Sequence, residues 1–432
     1  MWTRRYTACA LVLMVVLATA GVSYGTEPVT LRFWTNWGEP SFSAIRAALD
    51  EFEAENPGIR VELEQGVATD KVISAIAAGV APNAFVTAGG YFTLIGRGYL
   101  QPLDSFIEQS EIANSSKYPP DIWESLKVDG KVYGLPALEA ASVYGLRWNE
   151  RHLQEAGLVP FTEERAPTYD EVIEYHHKLT RVSGTGVIEN LGYLPWSGVQ
   201  SGLNWWSLGF GAQDGFTYPR EDGQVRLNLP ELAGGLELIA ENIFQMLGPA
   251  NVFAYMSESA QPYSNGLFRG AVSIAGDGYW SAGRAVVESP DETYGTTWMP
   301  SVDGGRYQLV GGFRVVVPVG VDNLAESWKL AEFVAGPRMT HAVFDATGFA
   351  TPHVDFITTA DMDKYPGLAL YMRDLGRADY IATPPNFPYS SDIERLFREA
   401  AEKVFRGEES SVSALSEAER LIAAIAQEAA QQ

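Results

Sequence analysis

An α/β layered architecture is predicted by three observations. Strand-like and helix-like segments follow one another in the order β-α-β-α-β between residues 30 and 87. With 432 residues, 46% of them hydrophobic, the chain can bury the cores of two or three domains. Its single cysteine, Cys9, excludes an intramolecular disulfide framework, so side-chain packing must hold the fold. The β-α-β order needs crossover connections, hence parallel strand pairing with helices covering the sheet faces.

Thr30–Trp34 reads as the first strand, and Asn36–Pro40 as a turn. Phe42, Ile45, Leu49 and Phe52 recur at three- and four-residue spacing, the apolar face of a helix that Asn56-Pro57-Gly58 stops. Ile59, Val61 and Leu63 alternate as a second strand. Lys71–Ala78 predicts a helix ended by Gly79, and Ala84–Thr87 a short strand running into Gly89-Gly90. In such sheets ligands gather beyond the carboxyl ends of the strands, here Trp34–Glu39 and Ala88–Tyr91. Val132–Pro136 and Val143–Trp148 are strand-like, and Ala137–Ser142 between them can cross from one lobe to another. Thr168 and Glu171 have capping-box spacing for a helix start. Residues 183–223, rich in Gly, Trp and Asn, read as loop.

Leu229-Pro230 opens a helix through Leu247, and Phe268–Ala275 is a strand leading into Gly276-Asp277-Gly278-Tyr279-Trp280. Gly311-Gly312 precedes a strand over Phe313–Val317. Helices are expected over Ala325–Ala335 and Arg338–Ala346, broken by Gly336-Pro337, and finally over Ser411–Ala429. No internal repeat is present.

The first 25 residues have the layout of a secretory signal peptide. Arg4 and Arg5 precede an apolar run from Ala8 to Ala20, and the small residues Ser23 and Gly25 stand where a cleavage site needs them. Cys9 lies inside that run and lacks the lipoprotein tripeptide before it, so the expected mature chain is exported, cysteine-free and unanchored, in a periplasm. No later apolar run approaches membrane-spanning length. The mature chain carries 29 basic and 54 acidic residues, a formal −25, a field that repels nucleic acid and anionic membrane surfaces.

Metal and nucleophile chemistry finds little support. There is no H-E-x-x-H, no Cys/His cluster, no G-x-S-x-G elbow and no phosphate-cradling G-x-x-x-x-G-K-[ST]. His176 and His177 are neighbours on an expected helix, do not share a face, and are expected at the surface. Among 54 acids no pair is nominated for glycoside hydrolysis. No cofactor is implied. What stands out is tryptophan at turns: Trp37-Gly38, Pro195-Trp196, Asn204-Trp205-Trp206 and Gly278-Tyr279-Trp280. A loop tryptophan can offer a flat face to a ligand.

Further segments carry a resemblance. These are Asn56-Pro57-Gly58-Ile59-x-Val61, Ala77-Ala78-Gly79-x-x-Pro82-Asn83, Leu100-x-Pro102-Leu103-Asp104, Asp129–Pro136 and Trp148-Asn149 leading to Ala156-Gly157-Leu158. Pro167–Glu171, Gly270–Trp280, Gly311-Gly312, Ala325–Val334 and Phe405-Arg406-Gly407 complete the series. In this order they resemble the extracellular solute-binding proteins of the sugar-binding ABC-transporter family, family 1, along nearly the whole mature chain. Asn83 departs from the family's Asp, and Ala88-Gly89 stand where sugar binders carry charged side chains, which suggests a different or larger ligand.

The resemblance implies a type II periplasmic binding fold: two α/β lobes with a ligand cleft between them, without catalysis or cofactor. The lobes are expected at residues 26–138 with 299–346, and 139–298 with 347–432, crossing near 138–142, 297–303 and 346–351. Implied partners are a carbohydrate and the membrane permease subunits of an importer, with the receptor a monomer. Rival ligands are a polyamine or a glycerol phosphodiester. A secreted glycoside-active enzyme and a receptor serving a chemoreceptor or kinase are rival functions.

Sugar presents an apolar C–H face and a rim of hydroxyls, so flat aromatics plus directional polar groups are needed. Trp280 is the first candidate for stacking, because it matches the family's Gly-x-Trp position. Trp37, Trp196, Trp205, Trp206 and Tyr91 are further candidates. Glu139, at the position of a crossing glutamate that touches sugar in maltose-binding members, Glu39 and Asp277 are candidates for gripping hydroxyls. Asn36 and Arg314 are weaker polar candidates, and Gly311 and Gly312 can let backbone approach a ligand.

Overall fold

The computed structural model describes residues 27–140, 144–196, 201–211, 225–258, 265–309, 311–382 and 389–429. The expected signal peptide and its cleavage site lie outside them. Along the chain the strands are β1 (Val29–Trp34), β2 (Ile59–Glu64), β3 (Ala84–Thr87), β4 (Lys127–Val128), β5 (Lys131–Val132), β6 (Gly134–Pro136) and β7 (Tyr144–Asn149). They continue with β8 (Arg181–Val182), β9 (Ile188–Leu194), β10 (Val272–Gly278), β11 (Tyr294–Thr297), β12 (Tyr307–Leu309), β13 (Arg314–Val316) and β14 (Tyr380–Ala382).

Two five-stranded sheets organise the molecule, one in order β2-β1-β3-β13-β6 and the other β11-β7-β10-β9-β8. In the first, β1 pairs parallel with β2 and β3, as the β-α-β-α-β reading requires. The added strand β13 runs antiparallel between β3 and β6, which sets Arg314 opposite Thr87 and Pro136. In the second, β10 pairs parallel with β9 and antiparallel with β7.

Each sheet has its own core. Around the first, Ile45, Leu49 and Phe52 of the helix Ser41–Glu55 pack with Leu31, Val61 and Val315, and with Leu330 and Val343 of the helices Leu324–Ala335 and Pro337–Thr347. Around the second, Leu191, Tyr193 and Ile274 pack with Leu236, Phe397, Phe405, Leu415 and Ile422. The helix Ser390–Arg406 brings Ile393, Leu396, Phe397, Ala400 and Val404 to this core at helical spacing. Burial of these side chains, at about 1.5–3 kcal/mol each, dominates the favourable side of folding.

Several sequence expectations are corrected. Residues 183–223 are not all loop: β9 and the helix Leu203–Gly209 fall within them, and of the rest 197–200 and 212–224 lie outside the described residues. Gly192, Gly209 and the tryptophans Trp196, Trp205 and Trp206 face packed neighbours; a Cβ at Gly192 would meet the His176 carbonyl oxygen at 2.3 Å. His176 is itself buried, accepting from Tyr193 N at 3.0 Å, and desolvation lowers its pKa to about 3; His177 is exposed as expected. The expected capping box is formed: Glu171 N donates to Thr168 Oγ1 and Thr168 N to Glu171 Oε2.

The expected return to the first lobe at residue 299 also moves. Met299, Tyr307 and Leu309 pack with Trp205, Leu208 and Ala382, and β12 pairs parallel with β14. Apolar packing therefore keeps the chain beside the second sheet through residue 309. Lobe-to-lobe contact near residue 347 is very close: Gly283, on the helix Ser281–Glu288, sits where a Cβ would lie 1.8 Å from Thr347 O. Gly283→Ala is expected to lower stability by about 1–3 kcal/mol, the usual cost of overpacking against backbone. Urea denaturation that gives the same midpoint for G283A and wild type would refute this contact.

Candidate functional site

Three segments pass between the sheets and touch one another at Glu139. Its backbone N donates to Ala350 O at 2.9 Å, its carbonyl accepts from Phe313 N at 3.4 Å, and Ala137 N donates to Phe313 O at 3.0 Å. Glu139 takes φ = 59°, a left-handed conformation that costs a non-glycine residue roughly 1 kcal/mol. Gly312, with φ = 120°, lies so close that a Cβ would meet Glu139 O at 2.2 Å. The crossing expected near 297–303 is thus found at 311–313. Residues 141–142 of the first expected crossing lie outside the described residues.

The Glu139 side chain is buried and accepts from Trp37 Nε1 at 2.6 Å. Burial raises its pKa to about 7, and the Trp37 hydrogen bond only partly opposes this. Trp37 is buried too, 5.0 Å from the Phe313 ring. Tyr279 closes the other side, its hydroxyl donating to Ala350 O at 3.1 Å.

Beside this junction lies a cleft of about 310 Å³. One wall comes from the first sheet: Gly89, Gly90, Tyr91 and Phe92 after β3, and Gly311, Gly312 and Arg314 leading into β13. The other comes from the second lobe: Asn204 on the helix Leu203–Gly209, and Ser390, Ser391, Glu394 and Arg398 on the helix Ser390–Arg406. The strand ends form the wall for the reason expected of α/β sheets: no further strand residues cover them.

Arg314 is 6% exposed and lies over the Tyr91 ring, 4.7 Å from its centroid. Its Nη1 donates to Gly312 O at 3.0 Å, while Nε has no partner. Desolvation lowers its pKa. Tyr91 donates its hydroxyl to Leu126 O at 2.9 Å, and burial pushes its pKa up. Glu394 accepts from Leu203 N at 3.0 Å; desolvation raises its pKa, with Leu203 N and Arg398 opposing. Asn204 Oδ1 is buried without a partner.

Of the sequence candidates, Tyr91, Gly311, Gly312 and Arg314 line this cleft, and Glu139 and Trp37 form the junction beside it. Trp280 is partly buried at the start of the helix Ser281–Glu288, its ring lying over Gly278 and set edge-on to Tyr144 at 5.6 Å. Trp205 is buried and also meets Tyr144 edge-on, at 5.2 Å, with its Nε1 unpartnered.

Other candidates lie away from this cleft. Trp196 and Trp206 are core residues, packed on each other and on Phe405, because their neighbouring glycines and asparagine belong to packed elements rather than open turns. Asp277 is buried in the second sheet, accepts from Gly278 N at 2.8 Å and feels the Arg147 guanidinium of the adjacent strand. Burial dominates and raises its pKa to about 6. Glu39 is exposed and accepts from Ser43 Oγ and N, at the start of the helix Ser41–Glu55. Asn36 is exposed.

Phe92, Asn204, Ser390, Glu394 and Arg398 were not foreseen as cleft residues. The helical spacing from Ile393 to Val404 was available in the sequence, but its polar N-terminal turn points at a cleft only once both lobes are in place. Among the described residues no group of three or more His, Cys, Asp and Glu converges to hold a metal ion, and no helix is long and apolar enough to cross a membrane.

Comparison with known proteins bears on this geometry. Residues 36–340 match the bacterial extracellular solute-binding protein family. An uncharacterized ABC transporter extracellular-binding protein of Pyrococcus horikoshii is 23% identical over 37% of this chain and 36% of its own length. The match thus spans about a third of that relative. An uncharacterized lipoprotein of Streptomyces antibioticus is 24% identical over 78% of this chain and 74% of its own. Among solved structures, the mannobiose-bound CpMnBP1 superposes with a TM-score of 0.79 at 22% identity, covering 91% of this chain and 99% of that one. The sugar-binding protein MalE of Xanthomonas citri gives 0.67 at 19% identity, covering 93% and 98%. These likenesses establish the two-lobed fold.

The buried acid at the junction predicts a pH dependence. Glu139 binds its proton more tightly folded than unfolded, so its stabilising contribution is complete below pH 4.5 and is lost as pH rises toward 7. Glu139→Gln keeps an acceptor for Trp37 and removes the titration. It is expected to be about 1–3 kcal/mol more stable than wild type at pH 8 and nearly equal at pH 4.5. Urea denaturation across pH 4.5–8 checks this, and parallel pH profiles for the two proteins would refute it.

Proposed function

Because the chain belongs to the bacterial extracellular solute-binding protein family, we propose that it is the receptor of an ABC importer that holds a sugar or oligosaccharide between two lobes and performs no catalysis. The observation that carries this reading is the cleft of about 310 Å³, walled on one side by the strand ends of the first sheet and on the other by helices packed on the second, which mixes aromatic rings with directional polar groups. That volume is at the lower end of the ~300–1,000 Å³ typical of small-molecule sites. Tyr91 and Phe92 supply apolar surface, and Asn204, Glu394, Arg398 and Arg314 supply donors and acceptors. Sugar-bound solved structures of the same fold, with mannobiose and with cycloalternan, support the ligand class by analogy.

The lobes of this proposal are residues 27–138 with 311–346, and 144–309 with 354–429. Ligand contacts made only in the closed arrangement would shift the population toward it. The closed pair of lobes would then present the surface that membrane permease subunits read. The exported, periplasmic location and the monomeric state belong to the same proposal. Trp280 is assigned a stacking role, since the residue is only partly buried beside Gly278 and Tyr144.

Titration of intrinsic tryptophan fluorescence with mono-, di- and trisaccharides tests the reading. A saturable change without consumption of the sugar is expected. Trp280→Ala should weaken binding at least tenfold with little change in thermal midpoint. Trp196→Ala should instead cost about 3–5 kcal/mol of stability, as loss of a buried aromatic does. A response confined to polyamines or glycerol phosphodiesters, or turnover of the titrant, would overturn the proposal.

A further inference from the structure

Arg314 poses a problem that a neutral sugar does not solve. The residue is only 6% exposed, it lines the cleft, and its Nε has no hydrogen-bond partner. No carboxylate of a described residue forms an ion pair with it. Its company is the Tyr91 ring, the more distant Phe92 ring at 5.8 Å, and one carbonyl, Gly312 O. A buried charge is expensive unless it is paired. Elsewhere in the chain Arg147, equally buried, has Asp277 on the neighbouring strand and the Ser281 and Pro366 carbonyls. Among the described residues, the buried arginine that faces the cleft has no acid partner.

The charge of the cleft wall points the same way. Its residues that carry charge are two arginines, Arg314 and Arg398, against one glutamate, Glu394. Glu394 is desolvated in a sense that favours its neutral form. A locally cationic cleft stands out in a chain of formal charge −23. Across from Arg314, Asn204 presents an amide whose Oδ1 is buried and unpartnered. As the amide's two ends are exchangeable, it can orient a carboxylate or an adjacent hydroxyl.

We propose that the ligand is an acidic saccharide, a uronic-acid-containing sugar whose carboxylate pairs with Arg314 in the interlobe cleft. The inference rests on the sugar-receptor reading above and narrows it. One carboxylate matches one buried guanidinium, which offers a planar fork suited to it. A sugar phosphate would bring nearly two charges beside Glu394 and is the poorer match. Arg314 emerges from the end of a strand braced by β3 and β6, so the cation is preorganised rather than recruited. The acidic exterior slows encounter with an anion, and the pairing inside the cleft must supply the affinity.

The test is isothermal titration of the mature full chain with matched pairs: mannobiose against dimannuronate, and galactobiose against digalacturonate. The expected result is that one uronate binds at least 30-fold tighter than its neutral counterpart, with affinity falling as salt is raised. Arg314→Gln should lower affinity for that uronate at least 30-fold, and at least tenfold more than it lowers affinity for the neutral sugar. Arg314→Lys, which keeps the charge but not the fork, should recover part of the loss. The thermal midpoint of unliganded R314Q should equal or exceed that of wild type, since an unpaired buried charge is removed. Tighter binding of the neutral sugar in both pairs overturns the acidic-ligand inference and leaves the sugar-receptor reading standing. So does an equal loss of both ligands, or a large drop in the R314Q midpoint. Absence of binding to any member of either pair, with saturable binding of a non-sugar solute, overturns both.

Discussion

The backbone of Glu139 joins the segments that pass between the two sheets. Its N–H reaches Ala350, its carbonyl accepts from Phe313, and Gly312 presses against its carbonyl oxygen. This only works with Glu139 in the left-handed region and Gly312 at φ = 120°. Trp37 adds the side-chain link, carrying the turn after β1 to the same point through its Nε1 hydrogen bond. The two packed cores meet at this junction and at the close packing of Gly283, Tyr279 and Ala282 against Thr347, Phe344 and Ala350. Such a junction fits a protein whose lobes must move as units, because bending is confined to short segments while the cores remain intact.

Polar groups are distributed unevenly between the cores and the boundary between them. Within the lobes, buried polar atoms mostly find partners: His176 with Tyr193 N, and Ser273 with Asn190 and His152. In the cleft wall two do not: Arg314 Nε and Asn204 Oδ1 are unpartnered. An unmade buried hydrogen bond costs roughly 1–3 kcal/mol. The two in the cleft wall are held ready for something that enters it. Away from the cleft wall Asp104 Oδ2, Thr296 Oγ1, Thr351 Oγ1 and Trp205 Nε1 also lack partners, as do Asp277 Oδ2, Arg147 Nε and Tyr371 Oη of the Arg147–Asp277–Tyr371 group. In that group the opposite charges of Arg147 and Asp277 compensate each other electrostatically.

The aromatic residues show how poorly local context separates core from site. Trp196, Trp205 and Trp206 stand among glycine, proline and asparagine in the sequence, yet all three are buried. In the helix Leu203–Gly209 their large surfaces meet partners far along the chain, Trp206 on Phe405 and Trp205 on Tyr144. Trp280 follows a similar glycine but is only partly buried, and Gly278 leaves room for it to stand against the strand.

Short-range physics determined much of this protein from its sequence. The period of apolar residues located β1 to β3 and the helix from Ser41. Thr168 and Glu171 announced a cap, and glycine and proline marked most boundaries, since each depends on residues within a few positions. The strand ends that would border a cleft, and Glu139 at a crossing, were legible from order and resemblance. Tertiary structure decided the rest. It placed residues 299–309 with the second lobe, buried His176, and returned Trp196 and Trp206 to a core. It also brought Asn204 and Glu394 opposite Arg314. These outcomes depend on contacts between residues tens to hundreds of positions apart, where burial, desolvation and the presence or absence of a counter-charge are set. No local pattern along the chain encodes them.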